Sequence, residues 1–186
     1  SQAEPPNNWL SIFGGSAWEW DTRRQQYYLH NFLRSQHDLN FHCEAVQEAV
    51  LAATRFWLER GVDGFRLDTI NFYFHDRRLR DNPPNPRRDH PEVPLSNPYA
   101  WQDHRYDKTQ PENLEFLRRF RALLDEYGEI AAVGEVADGE RSLTTIGAYT
   151  AGHERLHFCY AFDFLSREFR AAHVRDVLER FALAAP

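Results

Sequence analysis

The stretch GFRLDTINF, residues 64–72, decides the fold. It starts as an apolar run of strand type, yet sets an arginine and an aspartate two positions apart. A charge among buried residues is costly unless it is paired or has a task. Side chains alternate faces along a strand. Arg66 and Asp68 therefore share a face, and Asp68 falls at the carboxyl end of a strand predicted over 62–68.

Working outward, Val46, Ala49, Val50, Ala53, Phe56 and Trp57 recur at helical spacing and predict a helix over 44–60, stopped by Gly61. After the strand comes a long connection, 69–110, with Pro83, Pro84, Pro86, Pro91, Pro94 and Pro98. Proline at that density forbids regular structure, and long loops of this kind are often functional. Pro111 opens a second helix, 112–127, with Leu114, Leu117, Phe120 and Leu124 as its apolar stripe and Gly128 at its end. EIAAVGEVA (129–137) and LHFCYAF (156–162) predict two more buried strands, and 171–184 predicts a last amphipathic helix. Residues 1–40 read as irregular structure with a short hairpin. The predicted order is helix, strand, helix, strand, strand, helix. It implies a parallel sheet with helices packed outside it. A right-handed crossover makes strands 62–68 and 130–135 neighbours.

Glu135 closes the second strand as Asp68 closes the first. Neighbouring strands lie about 4.8 Å apart, so two carboxylates at matching ends come within about 5–6 Å. A retaining glycosidase holds its pair about 5–5.5 Å apart. Arg66 beside Asp68 favours the ionised form that a nucleophile needs. Glu135 follows Ala131, Ala132, Val133 and Gly134 with no base nearby in sequence. That apolar setting suits a general acid. On spacing alone, the plainer reading is a buried Arg66–Asp68 ion pair and a solvated Glu135.

Composition narrows the classes. With 42% hydrophobic and 15% aromatic residues, the 186-residue chain can bury a core. A net charge of −6 argues against nucleic acid or an anionic membrane as partner. No apolar run reaches the roughly 20 residues of a membrane span. Two cysteines, Cys43 and Cys159, form no metal or redox motif and read as reduced, buried thiols of a cytoplasmic protein. The sequence contains no Met, so the expectation is a chain that is trimmed, processed or a piece of something longer.

Several motifs agree on a family. GVDGFRLDTINF resembles the second signature region of the α-amylase superfamily, glycoside hydrolase family 13, and AAVGEV resembles its third. QHDLN (36–40) resembles the short motif near the end of the family's inserted domain B, with His37 in place of the usual proline. NNWLSIFGGSAWEWD and NPYAWQDHRYDKTQPENL are similar to the subset of oligo-1,6-glucosidases, maltases and transglycosylating α-glucosidases.

The resemblance implies an α/β fold: a partial (β/α)8 TIM barrel of about strands four to six. Residues 1–40 would be the tail of domain B, and 41–186 the central barrel. It implies a retaining, exo-acting α-glucosidase acting on a small oligosaccharide or α-glucoside, with transfer to an acceptor sugar as a second outcome. Asp68 would be the nucleophile, Glu135 the acid/base, and Arg66 the group that orients Asp68 and keeps it ionised. Phe13 and Phe32 match aromatic positions of the sugar pocket, although ordinary core packing is the competing reading. Thr69, beside the nucleophile, leans towards α-1,4 linkages. Tyr99, Trp101 and His104 sit on the loop expected to overhang the acceptor side, or are plain surface residues. No cofactor and no metal are implied for this segment. The family's first and fourth regions have no match here, so the segment alone is expected to be inactive and poorly folded. The rivals are another family enzyme (a sucrose hydrolase or isomerase, or a trehalose synthase), a non-catalytic relative of the kind found in amino-acid transporters, and a sugar-binding module.

Overall fold

The computed structural model describes residues 4–86, 93–165 and 169–184, so Pro91 of the proline-rich loop lies outside the described residues. The chain divides into two units, Ser1–His42 with Phe72–Gln110, and Cys43–Asn71 with Pro111–Pro186.

In the first unit, Trp18–Asp21 (β1) and Gln26–Leu29 (β2) form the expected hairpin, antiparallel, with Trp18 level with Leu29. Trp9, Ala17 and Leu29 make its small core, and the Trp9 ring stacks on Trp18 at 5.8 Å. The proline-rich segment has few ladder bonds to use, so side-chain amides anchor it. Asn8 Nδ2 donates to the Asn82 carbonyl at 2.9 Å, and the Asn82 N–H donates to Asn8 Oδ1 at 2.8 Å. Asn97 Nδ2 donates to the Ile12 carbonyl at 2.9 Å. Irregular backbone needs such partners when it is buried. Asp38 of the QHDLN motif accepts from both the backbone N–H and the Nδ2 of Asn31, at 2.7 and 2.8 Å. Burial outweighs these bonds and pushes its carboxyl up to about 6. His37, which replaces the family proline, packs its ring 4.0 Å from that of Tyr28.

The second unit alternates helix and strand: Glu44–Leu58 (α1), Gly64–Leu67 (β3), Asn113–Asp125 (α2), Ala131–Val136 (β4), Ser142–Thr150 (α3), Phe158–Ala161 (β5) and Ala171–Ala184 (α4). The strands form one parallel sheet in the order β3-β4-β5. The hydrophobic pattern assigns no helix to 142–150, yet that stretch is α3. SLTTIGAYT has Thr and Gly where a helix signal needs apolar periodicity, and it buries residues on several sides, among them Leu143, Thr145, Ile146 and Tyr149. With α3 in place, the alternation is regular.

Two further details depart from expectation. On α1, Thr54 and Leu58 are buried, while Phe56 and Trp57 stand exposed with their rings edge to face. The periodicity found the helix but rotated its inward face. Cys43 is exposed and Cys159 is half-buried, and both are free thiols. Burial pushes the Cys159 thiol up to about 12.

The two faces of the sheet differ in chemistry. Phe65 points to α2, its ring 6.1 Å from Phe120 among buried Phe116, Leu117, Leu123 and Leu124. Gly134 lies on this packed face. A Cβ there would sit 2.4 Å from Ile70 Cδ1 and 2.8 Å from Leu156 Cδ1, so the close packing requires glycine. The opposite face carries the charged residues.

Candidate active site

Register builds the site. Leu67 is level with Gly134, so Asp68 and Glu135 are the next residues along two adjacent parallel strands. Glu135 is in turn level with Tyr160 on β5. By alternation, Arg66, Asp68, Glu135 and Tyr160 project from one face at the carboxyl ends of the strands.

Their side chains meet. Arg66 Nη1–H donates to Asp68 Oδ1, and Arg66 Nη2–H donates to Glu135 Oε2. Both carboxylates thus lie within the span of one guanidinium. Tyr160 completes the group. Its hydroxyl accepts from Arg66 Nη2 at 2.9 Å and Nε at 3.1 Å, and donates to Glu135 Oε2 at 2.6 Å. The bond to Tyr160, then that to Asp68, hold the Arg66 guanidinium protonated beyond its ordinary range, with Glu135 adding to the effect. The bond to Glu135, then burial, push the Tyr160 phenol above its ordinary value.

The carboxylates differ in exposure. The Asp68 side chain is 72% exposed and the Glu135 side chain 10%. The sequence pattern predicts a buried Asp68 beside Arg66 and a Glu135 with no base nearby. The structure opens Asp68 to solvent and sets the same arginine against Glu135. That second contact crosses between strands, 69 residues apart in sequence, where spacing within one strand carries no signal.

The connections after the strands fix the pair. The Asn71 side chain donates to the Ala137 carbonyl at 2.9 Å and accepts from the Ala137 N–H at 3.1 Å. This reciprocal clamp ties the segment beyond β3 to the segment beyond β4. Asn113 Nδ2, from the start of α2, donates to the Ile70 carbonyl at 2.8 Å. Thr69 takes φ 39°, a left-handed conformation unusual for a β-branched residue. Such strain persists only where the surroundings impose it, and it clusters at functional sites.

The other candidates belong to the first unit. Phe13 is exposed, its ring edge-on to Phe32 at 5.8 Å, and Phe32 packs at 5.2 Å on Phe72. Trp101 is exposed and donates its indole N–H to the Leu95 carbonyl. Tyr99 and His104 differ from the loop-surface expectation. They are buried, stacked on each other at 3.6 Å, with His104 Nδ1 2.6 Å from Asp107 Oδ2. Burial pushes the Asp107 carboxyl up, but the bond from His104 and the nearby Lys108 outweigh it, and the net shift is downward. Tyr160 and Asn71 escaped the sequence reading. A tyrosine within the apolar run of the next strand was the available signal for Tyr160.

Comparison with known proteins identifies the family and the fold. The family model described as "Alpha amylase, catalytic domain" matches residues 1–184. A "Probable alpha-glucosidase" of Rhizobium meliloti (strain 1021) is 63% identical over 185 residues, 98% of this chain and 34% of that protein. The crystal structure of an alpha-glucosyl transfer enzyme, XgtA, superposes with a TM-score of 0.92 at 54% identity, over 98% of this chain and 34% of that one. A human "Amino acid transporter heavy chain SLC3A1" is 40% identical over 123 residues, 66% of this chain and 18% of that protein. The chain spans about a third of the length of the first two. Its parallel strands and outer helices are a partial (β/α)8 barrel, and the chain belongs to the alpha-amylase catalytic-domain family.

Proposed function

We propose that the full-length protein is a retaining, exo-acting α-glucosidase that releases or transfers α-linked glucosyl units from small oligosaccharides or α-glucosides. The observation that carries this reading is a single guanidinium hydrogen-bonded to two carboxylates at the carboxyl ends of adjacent parallel strands. In barrels of this type, catalytic residues come from those ends.

In the mechanism, Asp68 attacks the anomeric carbon while Glu135 gives its proton to the departing glycosidic oxygen. One bond forms, one breaks, and a glucosyl ester on Asp68 results. Glu135, now ionised, takes a proton from water or from an acceptor hydroxyl, whose oxygen displaces Asp68. Arg66 bonds Oδ1 of Asp68, and among the described residues Oδ2 takes no hydrogen bond, so Oδ2 is the attacking atom. Phe13, Phe32 and Trp101 are the candidate sugar-facing rings. Thr69 supports a lean towards α-1,4 over α-1,6 linkages, read as a higher kcat/KM on maltose than on isomaltose. Two free thiols fit a reducing compartment, and we place the protein in the cytoplasm. Among the described residues, no helix is long and apolar enough to cross a membrane.

The human transporter heavy chain favours one rival, a non-catalytic role. That role gives no reason to hold two carboxylates on one arginine. Early-time NMR of glucose released from an aryl α-glucoside separates the two. The expected product is α-glucose, and Asp68→Asn should lower kcat by at least about 10³-fold. β-Glucose, or an unchanged rate in Asp68→Asn, would overturn the proposal.

A further inference from the structure

Glu135 is held by one oxygen only. Its Oε2 receives both the Arg66 Nη2–H and the Tyr160 hydroxyl, the latter at 2.6 Å. Among the described residues, Oε1 takes no hydrogen bond. A carboxyl whose Oε2 already accepts from two donors has no room there for a proton of its own. The acid's proton is therefore carried on Oε1, the oxygen free to meet a substrate.

Arg66 alone would leave this orientation loose, because its guanidinium is shared with Asp68. Tyr160 supplies the second fixed point. It stands level with Glu135 on the next strand, so the backbone ladder sets its distance. Its hydroxyl accepts from two guanidinium nitrogens and can therefore direct its single hydrogen only at Glu135. The chain of donors runs in one direction, from Arg66 through Tyr160 to Glu135.

We propose that Tyr160 is a positioning residue for the acid/base: it fixes Glu135 by Oε2 so that Oε1 presents the proton to the leaving oxygen. This rests on the reading of Glu135 as the acid. In retaining enzymes kcat/KM reports the first displacement. A poor leaving group depends on protonation there, whereas fluoride needs little help. A misaligned acid thus lowers the rate for the former and spares the latter. A purely structural loss lowers both alike.

The test uses the full-length protein and two substrates, 4-methoxyphenyl α-glucoside and α-glucosyl fluoride. Tyr160→Phe should lower kcat/KM on the aryl glucoside by about tenfold and on the fluoride by less than about twofold. Glu135→Gln should show the same sign with a wider gap. Phenylalanine keeps the ring, and the ratio of two substrates on one preparation cancels any loss of folded enzyme. Equal losses on both substrates, or no loss on either, overturn the role of Tyr160 while Glu135→Gln keeps its gap. If Glu135→Gln shows no gap, the acid assignment falls and takes the positioning role with it.

Discussion

Arg66 shows how one residue can define a site. Its planar fork reaches Asp68, Glu135 and Tyr160 together, which a lysine's single nitrogen could not do in the same geometry. A second arginine fork has a structural task. Arg80 Nε and Nη2 donate to the two oxygens of Asp76 at 2.9 and 3.0 Å. Those bonds hold the buried Asp76 carboxyl at about 2, below its ordinary 3.8. A depressed carboxyl stabilises the fold above its unfolded value and loses that contribution as pH falls through its folded value. Wild type should therefore melt above Asp76→Asn at pH 7, and the gap should close between about pH 4 and pH 2. Melting curves across that range check this, and a gap that stays constant contradicts it.

At the scale of elements, the parallel register places Asp68 and Glu135 side by side, and Gly134 allows β4 to lie against Ile70 and Leu156. Both of those side chains are fully buried and have little room to yield. Gly134→Ala should therefore cost about 1–3 kcal/mol by overpacking, seen as a lower Tm. It should also lower activity by displacing the neighbouring Glu135. An unchanged Tm would show that the pocket can relax. Much of this layer was legible in sequence. β3, β4, β5 and α4 follow from apolar runs and periodicity, and α2 from Pro111 and Gly128. What stayed hidden depends on contacts between distant residues. α3 lacks a periodic face, α1 buries Thr54 and Leu58 rather than its aromatics, and the Asn71–Ala137 clamp joins residues 66 apart in sequence. The meeting of Asp68, Glu135 and Arg66 was legible because it depends on strand ends. The contact of Tyr160 with them was not, because it depends on the level of one strand against the next.

At the scale of the whole molecule, the face that bears Asp68 is open, and large apolar side chains such as Phe158, Phe164, Phe169 and Leu183 are exposed. Exposed apolar groups of this size are unfavourable in water, so activity belongs to be measured on the full-length protein. The most direct measurement is to trap the covalent intermediate. The full-length protein is incubated with 5-fluoro-α-glucosyl fluoride, which slows the second displacement more than the first, then digested and read by mass spectrometry. The predicted result is one fluoroglucosyl group on the peptide that carries Asp68, lost again when an acceptor sugar restores turnover. A label on any other residue, or steady turnover of this reagent by a protein in which Asp68 has been changed to asparagine, would contradict Asp68 as the nucleophile.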